Sequence, residues 1–197
     1  PSLAGMGGGL ACDGSSGNEC SPTIQNVEFR GNAAQARGGA IVNYAENGTA
    51  SPQITNVVFY SNATTNSNSY GGAINNYGLG GDASPVIERT TFDHNSAGTE
   101  GGAIKNYGVS GTVAPTIAST VFLKNEASDG GALYNVEANP QVANATFWGN
   151  SSANGGAIYN TSGASPQIAN TILWGNTAGG SGSQMYNSGS SVTPSVA

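Results

Sequence analysis

The sequence of 197 residues predicts an all-β fold, a right-handed parallel β-helix (a solenoid) of about six to seven coils. Three observations carry this prediction. In each repeat a proline stands seven residues before an apolar residue, an asparagine follows three residues later, and a glycine-rich block comes next. Successive prolines are 25 to 33 residues apart, so some intervals are constant while others vary. Such a period is typical of coils stacked on one another.

The proline segment of each repeat predicts a short strand. Proline favours an extended residue before it and lacks an N–H, so it is best tolerated where a strand opens. Runs of four to six residues between turn signals are too short for helices. The apolar residue seven positions after each proline is expected to stack with its counterparts inside the solenoid. This column consists of Phe29, Phe59, Phe92, Phe122, Phe147 and Leu173.

The asparagine after each of these residues predicts a structural ladder. A carboxamide both donates and accepts hydrogen bonds, so a column of asparagines at a turn can bond up and down the stack. We expect a structural role for Asn32, Asn62, Asn95, Asn125, Asn150 and Asn176.

The glycine-rich block, as in Gly71-Gly72-Ala73-Ile74, predicts a turn followed by a second strand. A second asparagine follows four residues after the second glycine, as at Asn76. The interval from that glycine to the next proline is 13 residues in four coils and shorter in the last two. We expect the longer intervals to emerge as loops and to form a ridge on one side. Parallel crossovers are almost always right-handed, which gives the predicted hand.

Composition narrows the class of protein. Charged residues make up 8% of the chain, hydrophobic residues make up 37%, and the net charge is −6. Regularly placed apolar residues argue against disorder, and the lack of a basic stripe argues against nucleic acid as a partner. No apolar run is long enough to span a membrane as a helix. We expect one domain over residues 1–197, a fragment or mature form that starts and ends within the repeat.

Two cysteines, Cys12 and Cys20, flank a polar stretch before the first Ser-Pro. We predict a disulfide across this turn, which favours an extracellular location. A pair of free thiols is the alternative interpretation. No metal site and no cofactor are predicted.

Candidate catalytic residues are few, because the acidic residues are scattered. Asp93 and His94 are adjacent in one Phe-x-x-Asn turn, and they form the best catalytic candidate in the sequence. The alternative is a solvated corner whose two side chains point apart. The sequence therefore favours a non-enzymatic protein.

Aromatic columns are candidate ligand-binding residues, because exposed rings in rows can stack on sugar faces. Tyrosines recur after the second asparagine column, and tryptophans follow the apolar column in two consecutive coils. The alternative is mutual stacking, which aromatic pairs favour. The candidates are Tyr44, Tyr77, Tyr107, Trp148 and Trp174.

The tandem Gly-Gly-Ala-Ile/Leu and Phe-x-x-Asn motifs resemble the repeats of the polymorphic outer membrane proteins of chlamydiae. More broadly, the chain is similar to secreted β-helix proteins with the pectate-lyase-like superfamily fold. The resemblance implies a surface-exposed, adhesin-like role.

Together these features predict a structural or adhesive β-solenoid, extracellular or on the cell surface. Its expected partners are surface glycans or proteins, or copies of itself stacked end to end as a filament. The alternative function is a carbohydrate-binding or polysaccharide-degrading β-helix.

Overall fold

The computed structural model describes residues 3–189 and 191–197. It is a parallel β-solenoid of about six turns, which confirms the predicted fold class. The first twelve strands in chain order are β1 (Leu10–Asp13), β2 (Thr23–Gln25), β3 (Glu28–Arg30), β4 (Ala33–Ala34), β5 (Ile41–Glu46), β6 (Gln53–Thr55), β7 (Val58–Tyr60), β8 (Ala63–Thr64), β9 (Ile74–Leu79), β10 (Val86–Glu88), β11 (Thr91–Asp93) and β12 (Ile104–Val109). The next twelve are β13 (Thr116–Ala118), β14 (Val121–Leu123), β15 (Leu133–Val136), β16 (Gln141–Ala143), β17 (Thr146–Trp148), β18 (Ser151–Ser152), β19 (Ile158–Thr161), β20 (Gln167–Ala169), β21 (Ile172–Trp174), β22 (Thr177–Ala178), β23 (Met185–Ser188) and β24 (Ser195–Val196).

Three long parallel sheets form the walls of the solenoid. Sheet one has the order β1-β5-β9-β12-β15-β19-β23 and arises from the glycine-rich blocks. Sheet two has the order β2-β6-β10-β13-β16-β20-β24 and begins after the prolines. Sheet three, β3-β7-β11-β14-β17-β21, carries the phenylalanine column. Apart from the short 3₁₀ turn Ser15–Gly17, the described residues contain no helix, and hence none that could cross a membrane.

The core is a set of stacked columns, as the repeat predicts. The rings of Phe59, Phe92 and Phe122 are fully buried, with successive centroids 4.8 and 5.0 Å apart and nearly parallel planes. Isoleucines of sheets one and two pack against this column from the other walls. Every coil therefore contributes equivalent side chains to one continuous hydrophobic core.

Both asparagine columns form hydrogen-bonded ladders. At the turn after sheet three, Asn95 donates from Nδ2 to Asn125 Oδ1 and to the carbonyl of Phe59, both at 3.0 Å. Its Oδ1 accepts from the backbone and side chain of Asn62. The second ladder runs inside sheet one, where Asn76 donates to Asn106 Oδ1 at 2.7 Å. These buried amides are satisfied only by the neighbouring coils.

The two glycines of each block have different roles. Gly71 has a positive φ of 64°, which permits the turn into sheet one. Gly72 instead lies against the next coil, where an added Cβ would stand 2.1 Å from the carbonyl oxygen of Gly102. The sequence predicts a turn for the pair as a whole, whereas the structure requires the second glycine for close contact between coils.

The long interval after the second glycine forms an ordered ridge, not the expected loops. Strands β5, β9 and β12 extend to six residues, and backbone bridges such as Thr49 to Asp82 join successive ridge segments. Beneath the ridge lies a small second core. It consists of Cys12, Ala45, Ala50, Ala83, Val113 and Ala138. Small side chains and glycines let these segments approach closely enough to pair.

The disulfide between Cys12 and Cys20 is present. Cys12 lies on β1 and is fully buried in the ridge core, and Cys20 packs against it. The bond therefore joins the first strand of sheet one to the segment that leads into sheet two.

Candidate functional site

A cleft lies on the outward face of sheet one. Side chains alternate along each strand of this sheet, so Ile74 and Asn76 point into the core while Asn75 and Tyr77 lie on the outer face. Successive coils place equivalent residues in register along this face. The cleft has a volume of about 480 Å³. We call it the tyrosine cleft, lined by Arg37, Tyr70, Tyr77, Glu100, Lys105, Tyr107, Tyr134, Val136, Glu137, Thr161 and Ser162.

Tyrosine rings form one wall of the cleft. Tyr77 stacks on Tyr44 with centroids 5.2 Å apart and on Tyr107 at 5.3 Å. Tyr44 is buried at one end, whereas Tyr77 and Tyr107 are partly exposed and line the cavity. Mutual stacking thus orders the column that the sequence singled out, and two of its rings still face the cleft. Their role in binding stays a prediction.

Lys105 is held inside the cleft by an ion pair and by aromatic rings. Its ammonium group contacts the Glu100 carboxylate and lies 3.6 Å from the ring centroid of Tyr70 and 5.0 Å from that of Tyr107. Burial lowers the pKa of Lys105, and the charge of Glu100 opposes this shift. Burial also raises the pKa of Tyr134, with a smaller contribution from Glu100. The Glu100 carboxylate therefore interacts with both Lys105 and Tyr134.

Arg37 lies at the end of the cleft nearer the N-terminus. Its guanidinium carbon is 4.3 Å from the ring centroid of Tyr77 and 5.7 Å from that of Tyr70. On β9, two residues before Tyr77, Asn75 pairs in register with Lys105 and is fully buried. Neither Oδ1 nor Nδ2 of Asn75 has a hydrogen-bond partner within the described residues. At this end of the cleft, a guanidinium group thus lies against two aromatic faces, and a buried amide on the same strand as Tyr77 is unsatisfied.

The two tryptophan candidates lie elsewhere. Trp148 and Trp174 pair in register on β17 and β21 of sheet three, with 42% and 70% of their surface exposed. Lys124 approaches the ring of Trp148, at 5.4 Å from its centroid. The structure therefore divides the five aromatic candidates between two faces of the solenoid.

Asp93 and His94 meet at the end of β11, also outside the cleft. His94 Nδ1 and Asp93 Oδ1 are 2.5 Å apart, so the two side chains do not point away from each other. The His94 ring lies 5.9 Å from the Tyr60 ring, and both members of the pair are solvent-accessible. A catalytic role for this pair stays a prediction. Among the described residues, no group of three or more His, Cys, Asp or Glu side chains could hold a metal ion.

Several cleft residues are not among the candidates predicted from the sequence, although their positions relative to the glycine block are constant. The residue directly before each glycine pair forms one column of the cleft, as bridges from Arg37 to Tyr70 and from Tyr70 to Glu100 demonstrate. The residue directly after the block isoleucine or leucine forms a second column on the same face, of which Lys105 and Tyr134 line the cleft. This second column includes Val42, Asn75, Lys105, Tyr134 and Tyr159.

The fold and the cleft define a class, the parallel β-helix repeat proteins whose stacked coils present an extended side-chain surface. Residues 26–44 and 89–107 each match the Chlamydia polymorphic membrane protein repeat. The chain is thus a β-helix repeat protein similar to proteins that carry this repeat. Searches of curated proteins and of solved structures find no match. The repeat family and the solenoid fold together indicate a repeat protein of the surface or outer-membrane type.

Proposed function

We propose that the chain is a non-enzymatic adhesive β-solenoid, displayed outside the cell or on its surface, that binds a glycan along the tyrosine cleft. The observation that carries this proposal is the row of stacked, partly exposed rings of Tyr77 and Tyr107 in a cavity of about 480 Å³. Ligand sites are typically concave and combine aromatic walls with a few polar groups. The extended outer face of a solenoid suits a chain-like ligand.

The chemistry of the cleft supports binding more than turnover. Its two acidic lining residues are Glu100, which pairs with Lys105, and Glu137, which follows the fifth strand of sheet one, β15. Glycoside hydrolysis uses two carboxyl groups that flank one bond, and here one carboxylate is occupied by an ammonium group.

Binding to a panel of immobilised glycans tests this proposal. We expect Tyr107→Ala to reduce retention of the bound glycan about tenfold or more, since aromatic anchors often dominate binding energy. Trp174→Ala is the matched control, because it removes a more exposed ring from another sheet. Loss of binding in the tryptophan variant alone would move the site to sheet three and refute the cleft. Failure of the wild-type chain to retain any glycan would refute glycan binding.

Product analysis distinguishes glycan binding from the alternative, glycan degradation. Mass spectrometry of a retained oligosaccharide, before and after prolonged incubation, should find it intact. Shortened products that disappear in Asp93→Asn, with binding unchanged, would instead establish catalysis at the Asp93–His94 pair.

Self-association is a second candidate function, favoured by an exposed apolar strand. On β21 of sheet three, Ile172 and Trp174 are 61% and 70% exposed. Large exposed apolar side chains on one strand promote association between chains. Sedimentation velocity over a dilution series should detect oligomers that Ile172→Glu abolishes. A monomer at every concentration would exclude this function, and negative-stain microscopy would reveal filaments directly.

A further inference from the structure

Arg37 differs from the other two arginines of the chain. Arg30 pairs with Glu28, and Arg89 pairs with Glu88, both on the same strand or its end. Within the described residues, Arg37 makes no ion pair and no side-chain hydrogen bond, and its guanidinium group lies against the rings of Tyr70 and Tyr77. A guanidinium group carries five N–H donors in a planar fork that matches an oxyanion. At Arg37 these donors are available to a ligand.

Asn75 is a second, independent sign of a missing partner. Its side chain is fully buried, yet both polar atoms lack hydrogen-bond partners in the described chain. Its neighbours in register are Val42 and Lys105, so it has no amide ladder of the kind that satisfies Asn76 on the same strand. Buried polar groups without a partner are rare in native structures and call for an explanation.

The register places Arg37 and Asn75 on the same outer face of sheet one, in different columns. Arg37 pairs with Tyr70 in one column, and Tyr77 belongs to another column of the same face, two residues beyond Asn75. Since the guanidinium group of Arg37 reaches from the first ring toward the second, it crosses the strand at the level of Asn75. The unused donors of Arg37 therefore lie at one end of the tyrosine cleft, on the face of the strand that carries the unpaired amide of Asn75.

We infer that Arg37 forms an anion subsite, which accepts the carboxylate or sulfate group of an acidic sugar in the cleft. This inference rests on the proposed glycan binding and adds the class of ligand. The charge of Glu100 at the centre of the cleft is balanced by Lys105. Glu137 lies on the coil of β15, three coils beyond that of Arg37. The acidic sugar is thus oriented with its anion toward Arg37 and its uncharged part along Tyr77 and Tyr107.

Calorimetric titration of the whole chain with three tetrasaccharides tests the subsite. The probes are a hyaluronan tetrasaccharide with carboxylates only, a keratan sulfate tetrasaccharide with sulfates only, and neutral chitotetraose. We expect at least one acidic probe to bind about tenfold or more tightly than chitotetraose, as charge-assisted bonds to a guanidinium group imply. The acidic probe with the larger preference identifies the group that the subsite takes.

Variants of single arginines test whether Arg37 causes the preference for acidic over neutral probes. Arg37→Gln should bring the acidic and neutral affinities to within about threefold of each other, while Arg37→Lys recovers part of the preference because it retains the charge without the planar fork. Arg89→Gln is the control for the same change in net charge, and it should leave the preference intact. Thermal unfolding by circular dichroism establishes that all three variants are folded.

The neutral probe separates two kinds of failure. Equal binding of all three probes by the wild-type chain, or a preference that survives in Arg37→Gln, would overturn the anion subsite and leave glycan binding in place. A wild-type chain that binds none of the three probes, and retains nothing from the glycan panel, would overturn the proposed function together with the subsite.

Discussion

The guanidinium carbon of Arg37 lies 4.3 Å from the centre of the Tyr77 ring, although the two residues belong to successive coils. This contact exists because each coil lies in register on the previous one, with Tyr44 opposite Tyr77 and Val42 opposite Asn75. The cleft is therefore a property of the stack. Changes that disturb coil register should affect the cleft even when they lie on another wall of the solenoid.

Replacement of Gly72 by alanine should prevent close stacking of the coils. An alanine Cβ at this position would meet backbone oxygens of Gly102 and Ser96 at 2.1 and 2.5 Å, and backbone cannot yield as a flexible side chain can. We expect a loss of about 4 kcal/mol or more in the free energy of unfolding, measured by urea titration. Gly179→Ala is the control, because an added Cβ there meets nothing within 4 Å. A Gly72→Ala chain as stable as this control would contradict the packing argument.

Two adjacent asparagines should respond oppositely to the same substitution. Asn75→Leu removes a buried amide without partners, so the free energy of unfolding should stay unchanged or rise by about 1 kcal/mol. Asn76→Leu breaks ladder bonds of 2.7 Å to Asn43 and Asn106, so it should cost about 2 to 4 kcal/mol. Urea unfolding compares the two variants. A strong destabilisation by Asn75→Leu would contradict the absence of partners for this amide.

The phenylalanine column should tolerate leucine better than alanine. Phe92 is fully buried between Phe59 and Phe122, so Phe92→Ala should cost about 3 to 5 kcal/mol through lost burial and a cavity. Phe92→Leu should cost about half as much, since Leu173 occupies the equivalent place in another coil. Denaturant titration followed by circular dichroism measures both. Equal losses for the two variants would argue against a close-packed column at this level.

Tyr134 should make stability depend on alkaline pH. Burial, with a smaller effect of the Glu100 charge, raises the pKa of this phenol above its ordinary value of 10.0. The folded state thus retains a proton that the unfolded chain releases. The contribution of Tyr134 to the free energy of unfolding is complete below pH 10 and is lost as the pH rises through the pKa of Tyr134 in the folded state.

We therefore expect the free energy of unfolding to fall more steeply above pH 10 in the wild type than in Tyr134→Phe. Urea titrations at increasing pH measure this difference. Lys105, whose pKa is lowered by burial, has the opposite effect, but both proteins contain it and the comparison removes its contribution. Parallel pH profiles for the two proteins would contradict a buried, protonated phenol at this position.

The sequence alone was sufficient for the solenoid, its core columns and its ladders, because a repeat reports inward-facing residues directly. Phe92 and Asn95 recur at constant spacing since each must match its counterpart one coil away. The disulfide between Cys12 and Cys20 was also predictable, from proximity along the chain. These features depend on proximity along the chain and on the residues that recur at constant spacing in each coil.

Only the tertiary structure determined which outward residues meet. Arg37, Asn75 and Lys105 do not recur as residue types, so no periodic signal marked them, and their positions before or after the block became meaningful only once the register was known. The same holds for the ridge. Its long segments suggest loops in the sequence, but in the structure they pair with one another, because small residues such as Ala83 let them approach closely. Inward positions are constrained by packing in every coil, whereas outward positions vary freely and acquire a function through their neighbours in adjacent coils.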